Sequence, residues 1–166
     1  MQLFILRHGK AHDRSSKFRP DAKRPLTPEG EDAVRQVARG MRKLKLTFDL
    51  ILTSPYARAA RTAQIAAEVL EIKKVLLAES LKAEADVREV IGEINEHYGR
   101  AEKILLVGHE PHLSHLLSVL LTGRDGLQIK LKKAGLAKVT VENLHCGKCA
   151  VLEWVMTPKQ LDRCAD

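Results

Sequence analysis

Apolar residues along this chain alternate between short unbroken runs and stretches at helical spacing. Gln2-Leu3-Phe4-Ile5-Leu6 reads as a short buried strand ending just before Arg7-His8-Gly9. The segment from Lys10 to Arg24 is polar and reads as a loop. Thr27-Pro28-Glu29 then carries a helix start: a hydroxyl at the N-cap, proline at the first helical position, and an acid. Val34, Val37, Ala38, Met41 and Leu44 follow at helical spacing. Leu50-Ile51-Leu52-Thr53 is a second strand, Ser54-Pro55 repeats the cap-and-proline signal, and Ala57 to Leu70 reads as an alanine-rich helix. Val75-Leu76-Leu77 and Val87 to Tyr98 give a third strand and a third helix. Lys103 to Val107 is the clearest buried strand, leading through Gly108-His109-Glu110-Pro111 into a leucine-rich helix to about Leu121. Leu136 to Val141 and Val151 to Met156 suggest a β-hairpin around a Gly-Lys turn, with Trp154 expected in the core.

Strands alternating with helices predict an α/β domain with a mostly parallel sheet, and the chain, 1–166, is short enough to form a single one. In such sheets ligands bind beyond the carboxyl ends of the strands. Arg7-His8, the Ser54 to Arg58 segment and His109 each lie just past such an end. Three distant segments are therefore expected to bring two histidines and two arginines to one edge of the sheet.

Composition narrows the function classes. The apolar fraction is 45%, the charged fraction 30% and the formal charge +7, so an anionic ligand is favoured. The basic residues are spread along the chain with no interleaved aromatics to stack on bases, which argues against nucleic acid. No apolar run approaches the roughly 18 residues that span a bilayer, and Arg7, His8 and Lys10 interrupt the apolar start, unlike a signal peptide. The expected location is the cytoplasm, with no membrane partner.

Two arginines and two histidines without a nest of carboxylates make an anion site. The guanidinium fork matches phosphate oxygens bidentately, and a helix start at Pro55 would add backbone N–H groups. A neutral imidazole there can attack phosphorus and form a covalent phosphohistidine, which water later removes. Each signal alone is weak; their joint placement at strand ends carries the expectation.

Four blocks, in order, resemble the histidine phosphatase superfamily, the phosphoglycerate mutase-like proteins. They are Leu6-Arg7-His8-Gly9, Arg24-Pro25-Leu26-Thr27-Pro28-Glu29-Gly30, Ser54-Pro55-Tyr56-Ala57-Arg58-Ala59-Ala60-Arg61-Thr62-Ala63, and Val107-Gly108-His109. The resemblance implies a three-layer α/β/α fold with His8 as nucleophile and Arg7, Arg58 and His109 as the phosphate clamp. It implies no cofactor and no metal, and phosphate or sulfate is expected to occupy the pocket. The short stretch between Leu77 and Lys103 leaves no room for a large insertion domain over the site. The Arg-His-Gly-x-Ala start, Arg-Pro-Leu-Thr segment and compact size most resemble SixA-type phosphohistidine phosphatases. A phosphorylated protein is then the expected partner, such as a histidine phosphotransfer domain. A small phosphorylated metabolite is the alternative substrate, and a phosphoprotein-binding module without catalysis the alternative function. Arg61 departs from the family's usual glutamine; it reads as a solvent-facing charge or a contact to an acidic partner.

Hydrolysis of an alkyl phosphate needs a proton donor for the leaving oxygen. Glu79, just past the third strand, is the candidate general acid, with Glu84 and Glu110 behind it. Without such an acid a labile phosphate is favoured, because imidazole leaves readily near its own pKa of about 6.5. Cys146-Gly147-Lys148-Cys149 has the spacing of half a zinc site that His145 and Cys164 would have to complete; an incidental hairpin turn is the simpler reading. His112 and His115 are expected at the surface or behind the site, and His12 and Asp13 could line the pocket mouth.

Overall fold

The structure, a computed structural model, describes residues 1–14 and 16–165, with only the backbone of Ser16. Six strands form one sheet: β1 Gln2–Arg7, β2 Leu50–Thr53, β3 Val75–Leu77, β4 Lys103–Gly108, β5 Leu136–Val141 and β6 Ala150–Met156. Their order across the sheet is β3-β2-β4-β1-β5-β6. The first four are mutually parallel. β5 runs against both of its neighbours, so the sheet is mixed but mostly parallel.

Five helices cover the sheet: α1 Pro28–Lys43, α2 Ala57–Leu70, α3 Val87–Tyr98, α4 His112–Thr122 and α5 Pro158–Arg163. A parallel strand buried on both faces reads as an unbroken apolar run whose side chains alternate between two cores. Phe4, Leu6, Ile51, Leu105 and Val107 pack with α1, α2 and α5. Leu3, Ile5, Leu52, Ile104 and Leu106 pack with α3 and α4 on the other face. The three-layer architecture expected from the sequence is present, with no large insertion. Trp154 is half-buried, its ring edge-on to Phe4 at 6.0 Å. Among the described residues no helix is long and apolar enough to cross a membrane.

The helix starts follow their sequence signals with one exception. The Thr27 hydroxyl accepts the Gly30 N–H at 3.0 Å, with Pro28 in the first turn. Thr157-Pro158 repeats the signal and closes a reciprocal cap with Gln160, opening α5, a helix the apolar periodicity does not reveal. Ser54-Pro55 does not start α2. The helix begins at Ala57, and the Ser54 hydroxyl is turned to His109 instead of capping the first turn.

The Cys146–Cys149 turn joins β5 to β6 on the α3/α4 side, whereas α5, with Cys164 at its end, packs on the other face. The described residues contain no cluster of three or more His, Cys, Asp or Glu able to hold a metal ion.

Candidate active site

The site follows from strand order. β1 and β4 are adjacent and parallel with Arg7 opposite Gly108, so the residues after them, His8 and His109, emerge side by side. The His8 N–H donates to the Gly108 carbonyl at 3.0 Å, and the imidazole centroids lie 5.1 Å apart. β2 flanks β4 on the other side, with Thr53 opposite Val107, and the Ser54 N–H donates to the Val107 carbonyl. That register carries the chain into α2, whose second residue is Arg58.

Two glycines allow the loop bearing His8 to touch α1. A Cβ at Gly30 would stand 2.0 Å from the Lys10 carbonyl oxygen, and one at Gly9 would stand 2.6 Å from Val34 Cγ2. Thr62 ties this loop to α2: its Oγ1 accepts the Gly9 N–H at 3.1 Å and donates to the Arg58 carbonyl at 2.7 Å.

Arg7, His8, Arg58 and His109 line one cavity of about 750 Å³ together with Arg14, Arg24, Tyr56 and Lys133. His8 is 7% exposed, Arg58 3% and His109 1%. The His8 Nδ1 lies 2.7 Å from the Gly9 carbonyl oxygen. A carbonyl only accepts, so Nδ1 carries the proton and the lone pair resides on Nε2. Burial, reinforced by the charges of Arg58 and Arg7 and opposed by the Gly9 hydrogen bond, pulls the His8 pKa down to about 3. Burial, His8 and Arg58 pull that of His109 down to about 2. Both imidazoles are therefore neutral at pH 7.

The anion-binding character appears in unpaired donors. Arg7 Nε and Arg58 Nε are buried without a hydrogen-bond partner among the described residues, as is His109 Nδ1. The remaining contacts hold the arginines in place: Arg7 Nη1 donates to the Leu131 carbonyl at 2.9 Å, and Arg58 is gripped by Asp21.

Sequence reasoning missed Asp21, which lies within the stretch read as loop. Two short 3-10 turns, Ser16–Phe18 and Asp21–Lys23, shape that stretch, and no periodicity marks a residue whose role depends on a loop path. Glu79 is not brought to the cluster. It sits on the 3-10 turn after β3 with its side chain 71% exposed, ion-paired to Lys82, and does not line the cavity. Glu84 and Glu110 do line it. The Glu84 carboxylate accepts from the Tyr56 hydroxyl at 2.5 Å, while Glu110 accepts from Ser114. Tyr56 also presents its ring to the Arg58 guanidinium at 5.2 Å. Arg61 is partly exposed and forms a two-pronged pair with Glu31 of α1 at 2.8 and 2.9 Å. His12 is half-buried and Asp13 exposed, and neither lines the cavity. His115 is exposed as expected, near Asp125, but His112 is buried with neither ring nitrogen paired.

A mostly parallel sheet that gathers two neutral histidines, the buried Arg58 and the half-buried Arg7 at the carboxyl ends of its central strands has the makings of an anion site suited to a phosphoryl group. Residues 3–83 match the histidine phosphatase superfamily (branch 1). The chain is 34% identical over 137 residues to an uncharacterised protein of Picosynechococcus, covering 82% of each. It is 26% identical to phosphohistidine phosphatase SixA of Escherichia coli, covering 97% of this chain and 96% of that one. The structure of the protein histidine phosphatase SixA complexed with tungstate superposes with a TM-score of 0.82 at 25% identity, covering 97% and 99% of the two chains. The chain belongs to the histidine phosphatase superfamily, whose members are phosphatases.

Proposed function

We propose that this protein is a phosphohistidine phosphatase of SixA type that transfers the phosphoryl group to His8 and then to water. The observation that carries the reading is the fixed His8 tautomer beside unpaired cationic donors. The Gly9 carbonyl holds the proton on Nδ1, so the Nε2 lone pair is available for in-line attack on phosphorus. As the Nε2–P bond forms, the bond from phosphorus to the leaving nitrogen or oxygen breaks, and its electron pair goes to the leaving group. Arg7, Arg58 and His109 stabilise the negative charge spread over the equatorial oxygens. Water then attacks phosphorus, the P–N bond returns its electron pair to Nε2, and inorganic phosphate departs.

Support for the substrate comes from two directions. The relative that aligns along nearly the whole chain is named for phosphohistidine, and the superposed SixA holds tungstate, a tetrahedral oxyanion like phosphate. The engagement of one acid at the rim also suits a labile bond. Glu84 is already committed as an acceptor to Tyr56, so it is poorly arranged to protonate an alkoxide. An imidazole leaving group whose second ring nitrogen is protonated departs as neutral imidazole and needs no such acid.

The test is single-turnover labelling with a ³²P-phosphorylated histidine peptide and steady-state hydrolysis of p-nitrophenyl phosphate. Acid-labile label is expected on the wild type and none on His8→Ala, whose rate falls at least about 100-fold. Near-normal turnover by His8→Ala would overturn the mechanism. A higher kcat/KM on alkyl phosphates than on the phosphohistidine peptide would replace the substrate assignment with a small-metabolite phosphatase.

A further inference from the structure

We infer that Ser54 is a positioning residue that fixes the tautomer of His109, so that Nδ1–H is the donor presented to the phosphoryl group. The role in catalysis rests on the phosphatase reading above; the tautomer does not.

Ser54 is fully buried at the end of β2, and its Oγ lies 2.8 Å from His109 Nε2. The same oxygen accepts the Tyr56 N–H at 3.3 Å. A serine hydroxyl has one proton to donate, and a buried one requires an acceptor. Of the two groups around Ser54 Oγ, the Tyr56 amide can only donate, which leaves His109 Nε2 as the acceptor. Nε2 therefore holds the lone pair, and in a neutral imidazole the proton must then lie on Nδ1.

The other end of the ring leads to the same assignment. His109 lines the anion cavity and Nδ1 has no partner among the described residues. In the opposite tautomer Nε2–H would point at Ser54, the hydroxyl proton would be stranded, and a lone pair on Nδ1 would meet the negative oxygens of a bound phosphate. Both costs vanish when Ser54 donates, since a buried polar group left unpaired loses its hydration without return. Burial keeps His109 neutral in the free protein, so the distinction between its two nitrogens persists at neutral pH.

The arrangement gives the Ser54-Pro55 segment a function other than helix capping. β2 ends beside β4, the serine reaches the histidine that leaves β4, and the chain goes on to deliver Arg58 four residues later. One turn thus sets two members of the clamp.

The test reads the tautomer directly. Long-range ¹H–¹⁵N correlation spectra of the ¹⁵N-labelled protein, with His109→Gln to assign the ring signals, report which nitrogen carries hydrogen. A protonated, pyrrole-type Nδ1 and a pyridine-type Nε2 are expected at pH 7 in the phosphate-free wild type. A pyrrole-type Nε2 overturns the proposal outright, whether or not any variant folds. Ser54→Ala is expected to mix the two tautomers and lower kcat/KM for p-nitrophenyl phosphate about 10-fold or more, while Ser54→Thr, which keeps the hydroxyl, retains the wild-type pattern. A Ser54→Ala protein with an unchanged His109 spectrum overturns the positioning role. These readouts differ from the failure of the phosphatase reading, which would appear in His8→Ala and leave the His109 spectrum as predicted.

Discussion

Asp21 grips the Arg58 guanidinium at two points: its carboxylate lies 3.0 Å from Nη2, and its main-chain carbonyl accepts from Nη1 at 3.0 Å. The same carboxylate accepts from Arg24 Nε at 2.9 Å. An acid is thus built in directly beside the arginines of the cavity. It orients Arg58 while leaving Arg58 Nε unpaired. Burial acts to raise the Asp21 pKa, but the Arg24 hydrogen bond and the charges of Arg58 and Arg24 outweigh it and hold the carboxyl below its usual range. Asp21 is therefore ionised whenever phosphate binds.

Replacing Asp21 by Asn separates orientation from charge. The single amide oxygen still accepts from one of the two arginines and the main-chain carbonyl still accepts from Arg58 Nη1, but the repulsion of a bound anion is gone. At the effective dielectric of a solvent-lined cavity, one such charge amounts to about 1 kcal/mol. Asp21→Asn should lower the Ki for inorganic phosphate about 3- to 10-fold in competition assays against p-nitrophenyl phosphate. An unchanged or raised Ki would mean that the carboxylate serves only to hold Arg58.

Two of the buried histidines, His8 and His109, make stability depend on acid. The folded pKa values of His8 and His109 lie near 3 and near 2, below the unfolded value of about 6.5. As pH falls below about 6.5 the unfolded chain binds protons that the folded protein refuses, so unfolding is favoured. Each histidine should cost up to about 1.4 kcal/mol per pH unit between roughly pH 6 and its folded pKa. Urea midpoints should therefore fall steadily from pH 7 to pH 4.5. In His8→Gln and His109→Gln the fall should be shallower, and a slope equal to the wild type would remove these histidines as its cause.

Gly30 and Gly92 should respond to alanine with opposite signs. At Gly30 a methyl meets the Lys10 carbonyl at 2.0 Å, backbone against backbone, so α1 must move away from the His8–Lys10 loop. Overpacking of this kind costs about 1–3 kcal/mol, and because it shifts the loop bearing His8, turnover should fall as well. At Gly92, exposed in α3, nothing lies within 4 Å of the added carbon. Gly92→Ala should stabilise by about 0.5–1 kcal/mol through helix propensity alone and leave activity unchanged. Urea denaturation of the pair checks the signs; equal effects would mean that the close approach of α1 is not required.

How far the site could be read in advance depended on whether backbone regularity or loop path places each residue. His8, His109 and Arg58 follow strands with clear apolar runs, and a parallel sheet fixes where strand ends go. Asp21 is positioned by two short turns in a polar segment whose pattern carries no period. Ser54 carried a genuine helix-start signal, but a buried imidazole next to it took the hydroxyl. The start of α5 was visible in Thr157-Pro158, yet its six residues bury only Leu161, too few to show an amphipathic stripe. His112 and His115, expected at the surface or behind the site, divide between the two: His112 falls on the buried face of α4 and His115 on the exposed one.

Glu79 shows the same limit, and its role can be decided by mutation. It is adjacent in sequence to the end of β3, as a proton donor to a leaving group would be. The 3-10 turn Glu79–Leu81 instead buries Ser80 and Leu81 and leaves Glu79 exposed and paired with Lys82. A general acid must come within hydrogen-bond reach of the leaving atom and contributes about 10²–10⁴-fold when it does. A carboxylate outside the cavity contributes nothing of that size. Glu79→Gln should therefore leave kcat/KM within about twofold of wild type, even for an alkyl phosphate whose leaving alkoxide demands a proton. A 100-fold loss confined to alkyl phosphates, with p-nitrophenyl phosphate spared, would show that the turn after β3 rearranges to bring Glu79 over the site when substrate binds.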